Sequence, residues 1–336
     1  MSITIPMIRA ASISPMRRWL KSQGRAPEPY LSQAGLDWVP NDDPYIAIPL
    51  RGVVDFLVAI SRDLGPDTPY RLVDGRGGYE IGLIGSSAFC GPTVREGFQR
   101  LTHMMPAHCT HEMFVLTETA DGLQIRDGWL YKVGDNEILH FVQQYVAALV
   151  DMICSVACGA SPSVDLVNMV PHPEAGLNHL RPWLGDKVQP AIDRALNIVI
   201  SDSLARKHFP DGVQKEALAS FVPDALPLRQ GDLLSDDVSL LVYSMLATTR
   251  PTIDQVAAAA GVSRRTLSRK LRNEGESFSS ILERTRAQIA IERLRSEPAM
   301  SAKDIATELG YPDQATLTRM VKRWTGQTPS SIRKCV

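Results

Sequence analysis

The sequence predicts two domains of different class, an α+β N-terminal domain followed by an all-α C-terminal domain with two helix-turn-helix motifs joined by a long linker helix. Three observations carry this. The chain has 336 residues, enough for about two domains at roughly 100–200 residues each. Its charge is divided: residues 250–336 hold 16 Lys+Arg against 9 Asp+Glu, and the rest hold 20 against 28, so the formal net charge of −1 sums +7 and −8. The basic segment also repeats itself. An asymmetry of this kind points to a module that meets a polyanion, joined to an acidic domain that does not.

Several classes drop out. Residues 1–19 have no apolar block followed by a small-residue cleavage site, so no secretory signal is expected. The most apolar stretch, 138–160, is interrupted by His140, Gln143, Gln144 and Asp151, and reads as a buried helix, not a membrane span. Five cysteines (Cys90, Cys109, Cys154, Cys158, Cys335) are odd in number and sparse, which suits reduced cytoplasmic thiols.

In chain order, the first 40 residues read as irregular, broken by Pro27, Pro29 and Pro40. Val53, Phe56, Leu57 and Ile60 recur at helical spacing and predict a helix over 50–64. Residues 79–89 are glycine-rich and apolar, and 93–105 are helical. Segments 114–117 and 123–125, separated by Ala120-Asp121-Gly122, predict a β-hairpin. The long helix over 135–157 has apolar positions 142, 146, 149, 153 and 156, a seam that faces the core in preference to a partner subunit. A Pro/Gly/His-rich stretch (161–185) precedes a helix expected from Val188 and an apolar segment at 198–200. Residues 223–237 (PDALPLRQGDLLSDD) are the linker candidate, dividing domains 1–232 and 233–336.

The back half is a repeat. Residues 252–278 align with 301–329 at an offset of 49 up to the glycine (Val256 on Ile305, Ala257 on Ala306, Gly261 on Gly310). Beyond it the offset is 50 (Leu267 on Leu317, Arg269 on Arg319, Leu271 on Val321). Ser263 and Asp313 can cap the second helix of each copy by accepting its free N–H groups. Gly261 and Gly310 supply the positive φ that ends the first helix. Val256, Ala257, Ala260, Leu267 and Leu271 form the inner face of copy one, and Ile305, Ala306, Leu309, Leu317 and Val321 that of copy two. This is a helix-turn-helix twice over (about 252–272 and 301–324), a motif whose second helix enters the DNA major groove. The outer face of the first such helix carries Arg264, Arg265, Ser268, Arg269 and Arg272. Arginine can bond both major-groove acceptors of guanine or clamp a phosphate. The second offers Gln314, Thr316, Thr318, Arg319 and Lys322, fewer cations, and is expected to read shape and phosphates more than bases. Between them, residues 278–296 form a helix with Glu283, Arg284, Arg286, Glu292 and Arg293 outward. At about 1.5 Å per residue it spans about 28 Å, close to the roughly 34 Å of one DNA turn.

On these residues the segment 233–336 resembles the DNA-binding domain of AraC/XylS-type transcriptional regulators. The matching positions are Gly310-Tyr311, Arg319, Lys322-Arg323, Gly326-Gln327-Thr328-Pro329 and Arg333, with Arg286, Ala290 and Leu294 in the linker helix. Leu317 and Val321 stand where the family commonly has phenylalanine. The front domain resembles, through Ala34-Gly35-Leu36-Asp37, 82–100 and 209–211, the arabinose-binding-type N-terminal domain of a subgroup with regulators of ornithine use and mycobacterial virulence genes. The resemblance implies a cytoplasmic, sequence-specific DNA-binding regulator, by family habit an activator. Its partners would be double-stranded promoter DNA, RNA polymerase, a small organic effector and a second copy of itself, with no membrane, metal or cofactor. No effector-binding residue follows from it.

Competing chemistry is thin. His103, His108, Cys109 and His111, with Glu112, are the densest ligand-type cluster, and a metal- or redox-responsive regulator would use such groups. Their spacing fits no established metal motif. Cys154 and Cys158 share an apolar helix face and read as small buried hydrophobes. Cys90 and Cys109 lack the flanking His and Arg that would activate an alkyl-accepting thiol. An enzyme domain fused to the DNA-binding tail would need a nucleophile elbow or phosphate loop, and neither motif occurs. Gly75–Gly78 (GRGG) reads as a turn.

Overall fold

The computed structural model describes residues 4–73, 81–220, 227–228, 231–297 and 299–333. The chain divides into two compact units, Pro6–Asp37 with Asn41–Arg229, and Gln230–Val336 with Met1–Ile5 and Trp38–Pro40. Gly75–Gly78, Cys335 and much of the linker candidate lie outside the described residues. The last four residues of that candidate, 234–237, form the first turn of a helix.

The N-terminal unit is α+β. Its elements are β1 (Met7–Arg9), α1 (Ser14–Ser22), α2 (Glu28–Gln33), β2 (Ala47–Pro49), α3 (Leu50–Leu64), α4 (Thr68–Arg71), α5 (Leu83–Phe89) and α6 (Val94–His108). They continue with β3 (Glu112–Thr119), β4 (Gly122–Trp129), α7 (Asn136–Cys158), β5 (Leu166–Met169), α8 (Arg181–Leu184), β6 (Val188–Pro190), β7 (Leu196–Ser201), α9 (Asp202–Ala205) and α10 (Asp211–Ser220). A five-stranded sheet runs β3-β4-β7-β5-β6, antiparallel except for the parallel β5–β6 pair, and β1 pairs with β2. Leu196, Ile198 and Ile200 alternate inward along β7, as a sheet with one covered face requires.

Two expectations are corrected here. The first 40 residues are not irregular, because Pro15, Pro27 and Pro29 stand at the starts of helices instead of breaking them, while Pro40 lies outside any helix. Pro15 and Pro29 sit in the first turns of α1 and α2, where a missing N–H costs nothing and the fixed φ suits a helix. Val188 begins a strand, not a helix: β6 pairs in register with β5, Val167 opposite Val188, so pairing overrides the local pattern.

The α7 helix is the spine of this unit. Asp135 caps it by accepting from the Ile138 N–H at 3.0 Å, and Gly159 closes it at φ 71°. It touches α3, α4 and α6 as well as β5 and β7. By length and hydropathy alone the helix could cross a membrane, yet 67% of its most apolar window is buried inside the fold. The polar residues that interrupt it are buried and bonded. Gln143 accepts from Val170 N at 2.8 Å, and Asp151 accepts from Tyr70 Oη at 3.0 Å and Ser163 N at 2.6 Å. Buried polar groups must find such partners, so the interruptions tie loops to the helix.

The C-terminal unit is all helical over its described residues from 231 on: α11 (Leu234–Met245), α12 (Ile253–Ala259), α13 (Arg264–Asn273), α14 (Phe278–Ser296), α15 (Ala302–Glu308), α16 (Gln314–Thr325) and α17 (Pro329–Arg333). Ala290, Leu294, Ile305, Ala306, Leu309, Leu317, Val321 and Ile332 form one buried cluster. Leu317 and Val321 are fully enclosed in it, so the smaller side chains still fill their places.

Candidate nucleic-acid interface

Each helix-turn-helix is built by the same local chemistry. Thr252 and Ser301 cap the first helices, accepting from the N–H groups of Gln255 and Asp304. Gly261 (φ 65°) and Gly310 (φ 72°) turn the chain in the left-handed region that side-chain-bearing residues avoid. A Cβ on Gly310 would also lie 3.0 Å from Arg250 Nε. Ser263 and Asp313 then cap α13 and α16, accepting from Thr266 N at 3.2 Å and Thr316 N at 2.6 Å. That bond holds the Asp313 carboxyl below the usual range, so it is a permanent anion at the positive end of α16.

The two second helices match position by position. Leu267 and Leu271 are buried in α13, as are Leu317 and Val321 in α16, and every residue from 263 to 273 falls in the same burial class as its counterpart 50 positions on. Arg264, Arg265, Arg269 and Arg272 are exposed on α13, and Gln314, Arg319 and Lys322 on α16. Ser268, Thr316 and Thr318 are half-buried, and Thr318 Oγ1 is committed to Gln314 O at 2.9 Å. Among the described residues, Arg265, Arg269 and Arg272 carry no ion pair, whereas Arg264 lies 3.5 Å from Asp254. Arg319 Nη2 donates to Thr316 Oγ1 at 2.9 Å, which fixes the guanidinium along its own helix. Of the inner-face residues, Ala260 is only half-buried, while its counterpart Leu309 is buried.

The linker helix α14 departs from expectation at one residue. Arg286 does not point outward: its guanidinium lies 5.9 Å from the ring of Tyr311, half-buried beside Gly310. Desolvation lowers its pKa and pushes the Tyr311 hydroxyl up to about 12. The other outward residues are engaged at the surface. Arg284 pairs with Glu276 at 2.6 Å, Glu283 with Arg323 at 3.4 Å, Arg293 with Glu297, and Glu292 accepts from Tyr243 Oη at 2.9 Å. Arg323, exposed beside Lys322, is a cation that the outer-face reading omitted, although the repeat offset aligns it with Asn273.

The histidine and cysteine cluster of the N-terminal unit does not assemble a ligand set. His103 is exposed, whereas His108, Cys109 and His111 are buried. Burial lowers the His108 imidazole to about 3 and raises the Cys109 thiol, so the thiolate that a metal or redox site uses is disfavoured. Among the described residues, no three His, Cys, Asp or Glu side chains are placed to hold a metal ion. Cys90, Cys109, Cys154 and Cys158 are free thiols. A different histidine group does converge: His140 Nε2 lies 3.0 Å from His179 Nε2, and the His172 ring stands 5.5 Å from that of His140. The signal for it was the polar break in the α7 pattern, but nothing in the sequence brings His172 and His179 to that break.

Comparison with known proteins agrees with this geometry. Residues 256–334 match the family model described as a helix-turn-helix domain. An uncharacterized HTH-type transcriptional regulator of Mycobacterium tuberculosis is 27% identical over 310 residues, covering 87% of this chain and 86% of its own. The HTH-type transcriptional regulator VirS of the same species is 36% identical over 101 residues, 30% of this chain and 29% of its own. The ornithine utilization regulator of Pseudomonas aeruginosa is 30% identical over 84 residues, 25% and 24% of the two chains. Among solved structures, the transcriptional regulator CdpR of P. aeruginosa aligns with 95% of this chain and 96% of its own, at 16% identity and a TM-score of 0.41. The C-terminal unit carries an AraC-type helix-turn-helix domain, and the chain is a DNA-binding transcriptional regulator of that type. Its family and relatives are regulators, not enzymes.

Proposed function

We propose that α13 and α16 are both recognition helices, set by α14 to enter successive major grooves on one face of the duplex. The observation that carries this is the shared exposure pattern: one cap, one buried seam and one free outer face occur twice in a single compact unit. On this reading Arg265, Arg269 and Arg272 reach bases or phosphates. Gln314, Arg319 and Lys322 do so in the second groove, with less charge. Ser263 and Asp313 present their helix ends, and Arg264 is released from Asp254 when a phosphate replaces that carboxylate. Ser268, Thr316 and Thr318 flank these contacts.

The acidic N-terminal unit, by the same reading, senses a small organic effector and brings two copies together. The regulator works in the cytoplasm and acts through RNA polymerase as an activator. The decisive experiment is operator binding by Arg269→Ala and Arg319→Ala chains. Both should weaken binding, with Arg269→Ala relaxing base preference at one position by about 1–3 kcal/mol. Unchanged affinity in both variants would remove the two-groove reading.

A further inference from the structure

The N-terminal unit encloses a cavity of about 70 Å³ between α1, α3, α5, α7 and the base of the β3–β4 hairpin. Its wall is apolar on one side, with Leu57, Ile84 and Val142, and polar in one corner, with His108, Glu112 and Trp129. The corner is fixed by the fold, since Glu112 and Trp129 are cross-strand partners in the β3–β4 ladder and His108 ends α6. Two nitrogens there have no partner among the described residues, Trp129 Nε1 and His108 Nδ1, and His108 is 3% exposed. Behind Glu112, Asp127 is 1% exposed, and burial beside that neighbouring carboxyl raises its pKa, so Asp127 holds a proton and donates it to Glu112. An indole N–H left unpaired in a protein interior costs free energy that a hydrogen-bond acceptor would recover.

We propose that this cavity is a binding site for a short uncharged aliphatic alcohol, its hydroxyl in the His108–Glu112–Trp129 corner and its chain against Leu57 and Val142. The inference rests on reading the N-terminal unit as the sensing one. A hydroxyl accepts from the Trp129 indole and donates to the Glu112 carboxylate, so one group serves both. An ammonium only donates and leaves the indole unpaired. A carboxylate only accepts and is repelled by Glu112. Burial disfavours charge in this corner: it pushes the Glu112 carboxyl up to about 7, and it penalises a charged ligand in the same way. The size sets an upper bound: the volume is two to three times the roughly 30 Å³ a water occupies in the liquid, which suits a molecule of about three or four non-hydrogen atoms, with propan-1-ol at the upper end.

The test is saturation-transfer NMR on the full chain with propan-1-ol, propylamine and propionate in parallel. Propan-1-ol should give a saturable signal that weakens at least fivefold in Trp129→Phe, which keeps the ring and loses the N–H. The two charged probes should give none that saturates. Filling the cavity with Val142→Phe should abolish the signal, and melting curves for both variants show that they fold. Equal signals from the charged probes, no saturable signal from propan-1-ol (water alone in the cavity), or an undiminished signal in folded Trp129→Phe would overturn the proposal. Operator binding measured on the same samples keeps the two readings apart. Alcohol binding that leaves operator affinity unchanged removes the sensing reading and leaves the cavity, and operator affinity without alcohol binding removes only the cavity.

Discussion

Arg286 shows how a single side chain can mislead a reading of pattern. A charged residue on a helix is assigned to water by default, but a guanidinium has a flat face that stacks on an aromatic ring and a long apolar stem. Tyr311, the residue after Gly310, provides the ring, and only the folded unit brings it to Arg286. The caps were legible for the opposite reason: Ser263 and Asp313 bond to backbone three residues away, so sequence neighbours contain the whole interaction. Replacing Ser263 by alanine should therefore lower stability by about 1 kcal/mol without touching the inner face, seen as a shift in the thermal melt. Arg286→Lys should also destabilise the chain, because an ammonium cannot reproduce the stacked plane. An unchanged melting temperature would show that the stack contributes nothing.

At the scale of elements, helices with a buried stripe were readable, and pairings between distant segments were not. The predicted bounds of α3 coincide with the observed Leu50–Leu64, and the hairpin is longer than its apolar core but turns at the expected residues. The strand β6 was misread because its partner β5 lies about twenty residues earlier across a proline-rich loop, outside any local window. The α7 helix carries a consequence for pH. Its His140 is fully buried, donates from Nδ1 to Val170 O at 2.7 Å and faces His179, and burial depresses its pKa to about 4. The unfolded chain takes up that proton near the ordinary value of 6.5. Between those values the unfolded state binds more protons than the folded one, so stability falls as pH drops through this window and is flat above it. The difference amounts to about 3 kcal/mol for this one group. Melting temperature against pH should show the slope in the native chain and a shallower one in His140→Gln.

For the whole molecule, the distribution of charge was informative where its sum was not. The formal net charge of −1 conceals a basic C-terminal segment in which, among the described residues, the exposed Arg265, Arg269 and Arg272 carry no ion pair. Operator affinity should fall steeply as salt rises, because each phosphate contact releases counterions. Every such arginine replaced by alanine should reduce the slope of log affinity against log salt by about one. A flat salt dependence would speak against phosphate contacts. The location of the basic module and its repeat were legible because both are properties of a contiguous segment. The cavity and the histidine group of the N-terminal unit were not, because each is assembled from elements far apart in the chain.

The matching exposure of the two second helices has a consequence for how such a regulator can change its targets. Cap, glycine and seam sit at fixed steps in both copies, while the long outer side chains of Arg264, Arg265, Arg269 and Arg272 and of Gln314, Arg319 and Lys322 are exposed. The outer face of either helix is thus a replaceable text on a fixed page. One copy can drift to new bases while the other keeps its grip, and a chain with the α13 outer residues written onto α16 should still fold.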